Sequence, residues 1–218
     1  MATVRRSDKA AATRARILET TISVLEAGGD DAVKVLEIAT AALVSTGSIY
    51  HHFDGRDGLV IAARLQQFRA ALPDDLAVIE WVVDHAADVD EFRVSMSEMA
   101  RVAHGAARSP NRRTRADVIS AGHMHPALAA ALADEQHRHA EAIAAAMSRA
   151  QDRGLVDPQL QPHSLAVVFM GLAFGMLLGD IDTHRPVDPV AWQVLLDKLI
   201  DSILTGHAPP RAGPPHLD

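Results

Sequence analysis

Cysteine is absent from the 218-residue chain, aromatic residues make up 4% of it, and Lys and Arg (21) are outnumbered by Asp and Glu (28). The missing cysteine excludes disulfides, thiolate zinc sites and cysteine nucleophiles together, and it points to an intracellular compartment. Long apolar runs are missing too. The longest, residues 165–179, covers 15 residues, about 22 Å as a helix against the ~30 Å of a bilayer core. It reads as a buried helix, not a span. No apolar stretch with a cleavage site follows the basic N-terminus, so no secretory signal is expected and the location is expected to be cytoplasmic. The chain also lacks G-x-S-x-G, G-x-x-x-x-G-K, G-x-G-x-x-G, E-x-x-H and H-E-x-x-H, the groupings that carry nucleophiles, phosphate loops and metal-bound carboxylates on helices. No catalytic residues, cofactor or metal are expected.

What is present reads as helix throughout. Ala, Leu, Arg, Glu and Gln dominate, and apolar residues recur every three or four positions, the period of an amphipathic helix. Helices are expected over about 9–27, 35–42, 46–52 and 55–72, then over 74–87, 89–107, 111–122, 126–153, 162–180 and 188–205. Gly28, Gly29 and the prolines at 73, 110, 126, 158, 186 and 189 mark the joints. No segment alternates in the two-residue manner of a strand. The tail, 207–218, holds four prolines and is expected to be disordered.

The net charge of −7 hides an asymmetry. Arg5, Arg6, Lys9, Arg14 and Arg16 face only Asp8 in the first sixteen residues, whereas residues 17–60 carry Lys34 and Arg56 against seven acids. A basic arm on an acidic protein is compatible with nucleic acid, because local field outweighs total charge. Charge alone leaves that open.

The segment 38–53 is the informative one. Two short helices meet at a turn around 43–45, with Ile38, Ala39, Ala42, Val44, Ile49 and Phe53 placed to face a first helix and Ser45 or Thr46 placed to cap the second. That is the pattern of a helix-turn-helix, whose second helix enters the major groove. The run from Arg14 to Leu59 resembles the N-terminal DNA-binding domain of TetR-family transcriptional regulators. The resemblance is carried by Gly28-Gly29, Glu37-Ile38-Ala39, Ala42, Val44-Ser45, Gly47-Ser48-Ile49-Tyr50-His51-His52-Phe53 and Arg56-Asp57-Gly58-Leu59. Three departures stand out: Leu43 where the turn usually has Gly, Val33-Lys34 in place of a Thr/Ser cap, and Gly58 in the first turn of the fourth helix. Leu43 is expected to hold a positive φ at about 1 kcal/mol.

The resemblance implies that Thr46, Gly47, Ser48, Tyr50 and His51 face DNA, with Ser45 and Lys34 beside them. Arg56 would hold a phosphate, and Arg5 and Arg6 would reach along the duplex as a flexible arm. Tyr50 as packing, and the Arg pair as a solvated terminus, are the competing readings. The recognition helix has no Arg, Lys, Asn or Gln, so base reading falls to Thr46, Ser48, His51, thymine-methyl contacts and DNA shape.

In the rest of the chain, Gly171, Gly175 and Gly179 form a row on one helix face that admits a close helix. The resemblance implies a homodimer built from the last two helices, with Trp192, Leu195, Leu196 and Leu199 as the matching stripe; packing within one subunit is the alternative. It also implies a ligand cavity, for which Trp81, Phe92, Met96, Met99, Met124, Phe169, Met170 and Phe174 are candidates and His104 the polar one, though any one such apolar residue is more often plain core. Arg108, Arg112, Arg113 and Arg115 read as a solvated joint.

The expectation is therefore an all-α protein. A three-helix DNA-binding domain (1–55) precedes a larger helical effector-binding and dimerisation domain (56–206) and a tail (207–218). Its expected partners are a double-stranded operator, a largely apolar small-molecule effector and a second copy, with no membrane. The expected function is a ligand-released regulator, a repressor by the resemblance. The rival is a helical small-molecule- or metal-binding protein or enzyme with a vestigial head.

Overall fold

The computed structural model describes residues 2–72 and 75–204. In chain order the helices are α1 (Ala2–Gly28), α2 (Val35–Ala41), α3 (Thr46–Phe53), α4 (Arg56–Ala71), α5 (Asp75–His85), α6 (Val89–His104), α7 (Ser109–Gly122), α8 (Pro126–Asp152), α9 (Pro162–Ile181) and α10 (Pro189–Asp201). Single 3₁₀ turns at Asp30–Ala32 and Ala106–Arg108 complete the order, and among the described residues there is no strand beyond one isolated bridge, Val156 to Leu204. The expected all-α order holds. The 207–218 tail lies outside the described residues.

Two compact units divide the chain. The first combines the residues up to Leu72 with Arg113–Glu135, and the second takes the remainder. The head is thus part of a larger unit than 1–55, because α4 carries apolar residues for two clusters. Its first turns place Leu59, Val60 and Ala63 against Ile17, Leu18, Ile38, Ile49 and Phe53. Its last turns place Phe68 against Val118, Leu128 and Leu132 of α7 and α8. Each of these side chains larger than alanine contributes about 1.5–3 kcal/mol on burial.

Polar groups fasten this unit at one residue that sequence reasoning passed over. Asp30 Oδ1 accepts from Arg64 Nη2 at 2.6 Å and Nε at 3.0 Å. Its Oδ2 lies 3.1 Å from His125 Nε2, and its carbonyl accepts from Arg56 Nη2 at 2.5 Å. One side chain therefore links the turn after α1 to α4 and to the α7–α8 joint.

The second unit has its own core, in which Val82, Val83, Phe92, Met96, Ile143, Met147, Leu165, Leu196 and Ile200 are buried together. Gln193 Nε2 donates to Ser97 Oγ and Asp197 Oδ1, and Ser97 Oγ donates to Asp197 Oδ1, so α6 and α10 are tied by polar as well as apolar contacts. The expected solvated arginine joint is not found. It folds into a 3₁₀ turn and α7, with Arg112 only 4% exposed and Arg115 also buried. Arg112 meets Asp180 through Nε at 2.7 Å and Nη2 at 2.9 Å, and its remaining donors reach the carbonyls of Ala103 and Gly105. Burial is tolerable because every donor has an acceptor.

The apolar run 165–179 also departs from expectation. It lies in α9, where only Leu165 and Ala166 are buried. Val167, Val168 and Leu178 are exposed. A helix that is apolar all round has one face on its own core and still presents apolar faces elsewhere.

Candidate functional site

The reading head is built from α1–α3 as its apolar spacing requires. Ile49 and Phe53 bury one side of α3, leaving Thr46, Gly47, Tyr50 and His51 exposed on the other, with Ser48 half-buried between. Ser45 is the N-cap: its Oγ accepts from Ser48 N at 3.1 Å and lies 3.0 Å from Ser48 Oγ, satisfying one of the helix's free N–H groups. Gly47 has open space where a side chain would be; a Cβ there would meet only Ser45 Oγ, at 3.7 Å. α2 lacks such a cap. Lys34 occupies its N-cap position without a side-chain bond, and its Nζ pairs instead with Glu37 at 3.2 Å on the surface.

The turn is closed by a leucine in the left-handed region. Leu43 has φ 54° and is 85% exposed, so the expected backbone strain is present with no burial to offset it. Arg16 Nε donates to the carbonyl of Ala42 at 2.8 Å just before this turn, and the Arg14 guanidinium stands 5.2 Å from the Phe53 ring centre. These two basic residues hold the head together. Their partners are remote in sequence and carry no local pattern, which is why they escaped a reading by motif.

Three basic candidates sit differently from expectation. Arg56 was expected to hold a phosphate, yet its Nε donates to Val33 O at 2.9 Å and its Nη2 to Asp30 O, while Nη1 faces Asp57. It fastens the α4 start to the turn after α1. Arg5 and Arg6 were expected on a flexible arm; α1 begins at Ala2, so both sit on helix, and their side chains fall outside those described. Gly58 also gains a reason. A Cβ at this position would lie 1.8 Å from the carbonyl oxygen of Phe53, so α3 and α4 approach this closely only because residue 58 has no side chain.

A second candidate site lies in the second unit, where a cavity of about 250 Å³ is lined by α6, the 3₁₀ turn, the end of α9 and α10. Of the nine ligand-binding candidates, His104 lines it. The others serve differently. Phe92 and Met96 are solid core, with Met99, Phe169 and Met170 packed against it. Phe174 is half-buried away from the cavity wall. Trp81 is 60% exposed and stacks on His85, and Met124 is 80% exposed and belongs to the first unit. Most of these large apolar residues are core or packed against it, as their period alone predicts, and Trp81 and Met124 protrude to the surface. His104 is 9% exposed. Burial pulls its pKa below the ordinary histidine value, opposed by the Ala100 carbonyl and helped by Arg112.

The dimer candidates split. Gly171, Gly175, Leu195 and Leu199 are exposed, but Leu196 is core, Trp192 packs on the core and lines the cavity, and Gly179 is covered by Val187. The helical period sets all four on one broad face of α10, with 192 and 196 on its core-facing edge and 195 and 199 on its exposed edge.

Comparison with known proteins agrees with the geometry. Residues 17–63 match the model described as bacterial regulatory proteins, tetR family. The chain is 26% identical over 193 residues to the HTH-type transcriptional regulator UidR of Escherichia coli K12, covering 88% of this chain and 93% of that one. The fold is shared by a TetR-family transcriptional regulator of Mesorhizobium loti (TM-score 0.64, 19% identity, 88% and 95% coverage) and by Salmonella enterica GusR (TM-score 0.61, 20% identity, 88% and 95% coverage). A capped α3 on a three-helix head, matched by that model over residues 17–63, is the geometry of a helix-turn-helix DNA-binding domain. Residues 17–63 thus carry the DNA-binding segment of the tetR family, and the chain as a whole is similar to the HTH-type transcriptional regulator UidR.

Proposed function

We propose that this regulator is a cytoplasmic homodimeric repressor that holds a near-palindromic operator and leaves it when a small, largely apolar molecule binds the larger domain. The observation that carries the reading is the uncovered apolar face of α9. Ser164, Val167, Val168, Gly171, Gly175 and Leu178 recur at three- and four-residue intervals and are all exposed, which makes one continuous stripe. Val190, Val194, Leu195 and Leu199 of α10 are exposed as well. A soluble chain keeps such a patch only where something covers it. A second copy meets it with the same stripe, and Gly171 and Gly175 let the two backbones come close. α9 is also long and apolar enough to cross a membrane, with a mean hydropathy of 2.0. Its Asp180, half-buried and paired with Arg112, and its Leu165 and Ala166, seated in the core, favour the second copy.

In such a dimer two α3 helices enter successive major grooves about 34–36 Å apart. Thr46, Ser48 and His51 face base edges, Tyr50 faces the backbone, and Gly47 admits close approach. An effector acts only by favouring the arrangement that spoils this spacing. Sedimentation of the purified protein, free and on an inverted-repeat fragment, tests the reading. Two chains per particle are expected in both states, and Gly175→Arg is expected to give monomers with at least tenfold weaker operator binding. A monomer that binds the repeat as tightly as wild type would overturn it.

A further inference from the structure

Two ring nitrogens beside the cavity of the second unit are buried without a hydrogen-bond partner: His104 Nε2 and Trp192 Nε1. Both residues line the cavity, and their ring centres are 6.0 Å apart at 52°. The roles of the two atoms are fixed by elementary bonding. His104 Nδ1 lies 2.7 Å from the carbonyl oxygen of Ala100; a carbonyl only accepts, so Nδ1 carries the proton and the Nε2 of the neutral ring is an acceptor. An indole Nε1–H is a donor and nothing else. The two neighbouring rings that border the cavity therefore carry one buried acceptor and one buried donor, each costing about 1–3 kcal/mol while unpaired. The group that answers both at once is a hydroxyl, which donates to one and accepts from the other.

The remaining wall sets the rest of the molecule. Met176, Pro186, Val187 and Pro189 make it largely apolar. The two cations on it already face carboxylates, Arg112 with Asp180 and Arg101 with Glu98. A dry cavity of about 150 Å³ accepts benzene, so one of about 250 Å³ takes roughly ten non-hydrogen atoms. From these constraints we infer that the cavity selects a small uncharged alcohol, its hydroxyl held between His104 Nε2 and Trp192 Nε1 and its apolar body against the proline-rich wall. This specifies the chemistry of the effector and rests on the effector reading above. His104 is pinned by its own Nδ1–H; Trp192, whose χ2 is the softer torsion, is the ring that turns to close on the hydroxyl.

The chain has two tryptophans, and Trp81→Phe leaves Trp192 as the sole reporter. The probes are 2-phenylethanol, ethylbenzene and phenylacetate, titrated against Trp192 emission in the full-length protein. The alcohol is expected to bind at least tenfold tighter than either partner, and His104→Phe to abolish that preference while keeping a ring in place. Equal affinity for alcohol and hydrocarbon, preference for the carboxylate, or no binding by any probe would each overturn the inference, whatever the variant does. Operator affinity measured with the same probes separates this from the effector reading. An alcohol that binds beside Trp192 without changing operator affinity refutes the switch and keeps the site. A compound that releases the operator and leaves Trp192 emission unchanged refutes the site and keeps the switch.

Discussion

Replacing Gly58 with Ala sets two physical effects against each other. On helix propensity alone the change stabilises an exposed helix by about 1 kcal/mol. In this fold the added Cβ would sit 1.8 Å from the carbonyl oxygen of Phe53, against a closest tolerable approach of roughly 3.2 Å. That oxygen is backbone and cannot rotate away as a side chain would. The turn between α3 and α4 already holds Asp54 at φ 58° and Gly55 at φ 106°, so the end of the recognition helix must shift by about an ångström. Overpacking of this kind costs about 1–3 kcal/mol, and a backbone clash belongs at the upper end. The net loss is then about 1–2 kcal/mol, or a Tm lower by roughly 2–8 °C for a chain of this size. Because the displaced element is α3, operator affinity is expected to fall at least tenfold at temperatures where the protein is still folded. Calorimetry and a binding isotherm on the same preparation read both. A Tm that rises, with binding unchanged, would show that propensity wins and that the close approach is not needed.

Gly47→Ala is the matched comparison: a Cβ there meets nothing closer than 3.7 Å, so stability is expected to be unchanged or up by as much as about 1 kcal/mol. Operator affinity is expected to drop, and unchanged binding would remove Gly47 from the DNA-facing surface. Leu43→Gly relieves a left-handed leucine and is expected to stabilise by about 0.5–1 kcal/mol, read as a shifted denaturation midpoint. Asp180→Ala leaves Arg112 buried without its carboxylate and is expected to cost about 3–5 kcal/mol; a loss under 1 kcal/mol would mean that solvent reaches the guanidinium. Burial holds the His104 pKa down, so the unfolded chain takes up a proton first as pH falls. Stability from this group is complete above about pH 6.5 and is lost below it. Denaturation midpoints from pH 8 to 5 are expected to fall less steeply for His104→Phe than for wild type, and parallel profiles would contradict the assignment.

Local order made the head legible. The spacing of Ile38, Ala39, Ala42, Ile49 and Phe53, the Ser45 cap and the Gly28-Gly29 stop each act within a few residues, so helix order, turn and recognition face could all be read along the chain. Leu43 was legible for the same reason. What could not be read are pairings across long sequence distances. Arg56 and Arg64 converge on Asp30, and Arg112 on Asp180; an arginine's sequence neighbours do not say whether it meets a phosphate, a carbonyl or a carboxylate. The aromatic and methionine candidates do not line the cavity of the second unit, on similar grounds. Phe92, Met96 and Phe169 have the helical period of any core, and period alone does not distinguish a filled interior from a lined space. The cavity formed instead where two prolines, Pro186 and Pro189, hold the α9–α10 connection against α6. The run at 165–179 is apolar enough to suggest burial, but composition says how apolar a helix is and not how many of its faces the same chain covers.

Two copies of this head are expected to read one operator together. Selection of double-stranded DNA from a random pool by the purified protein, at about 150 mM salt to suppress non-specific binding, tests it most directly. An inverted repeat whose half-site centres lie about one helical turn, or a multiple of it, apart is the predicted result. Recovery of isolated half-sites, or no enrichment over the starting pool, would contradict it.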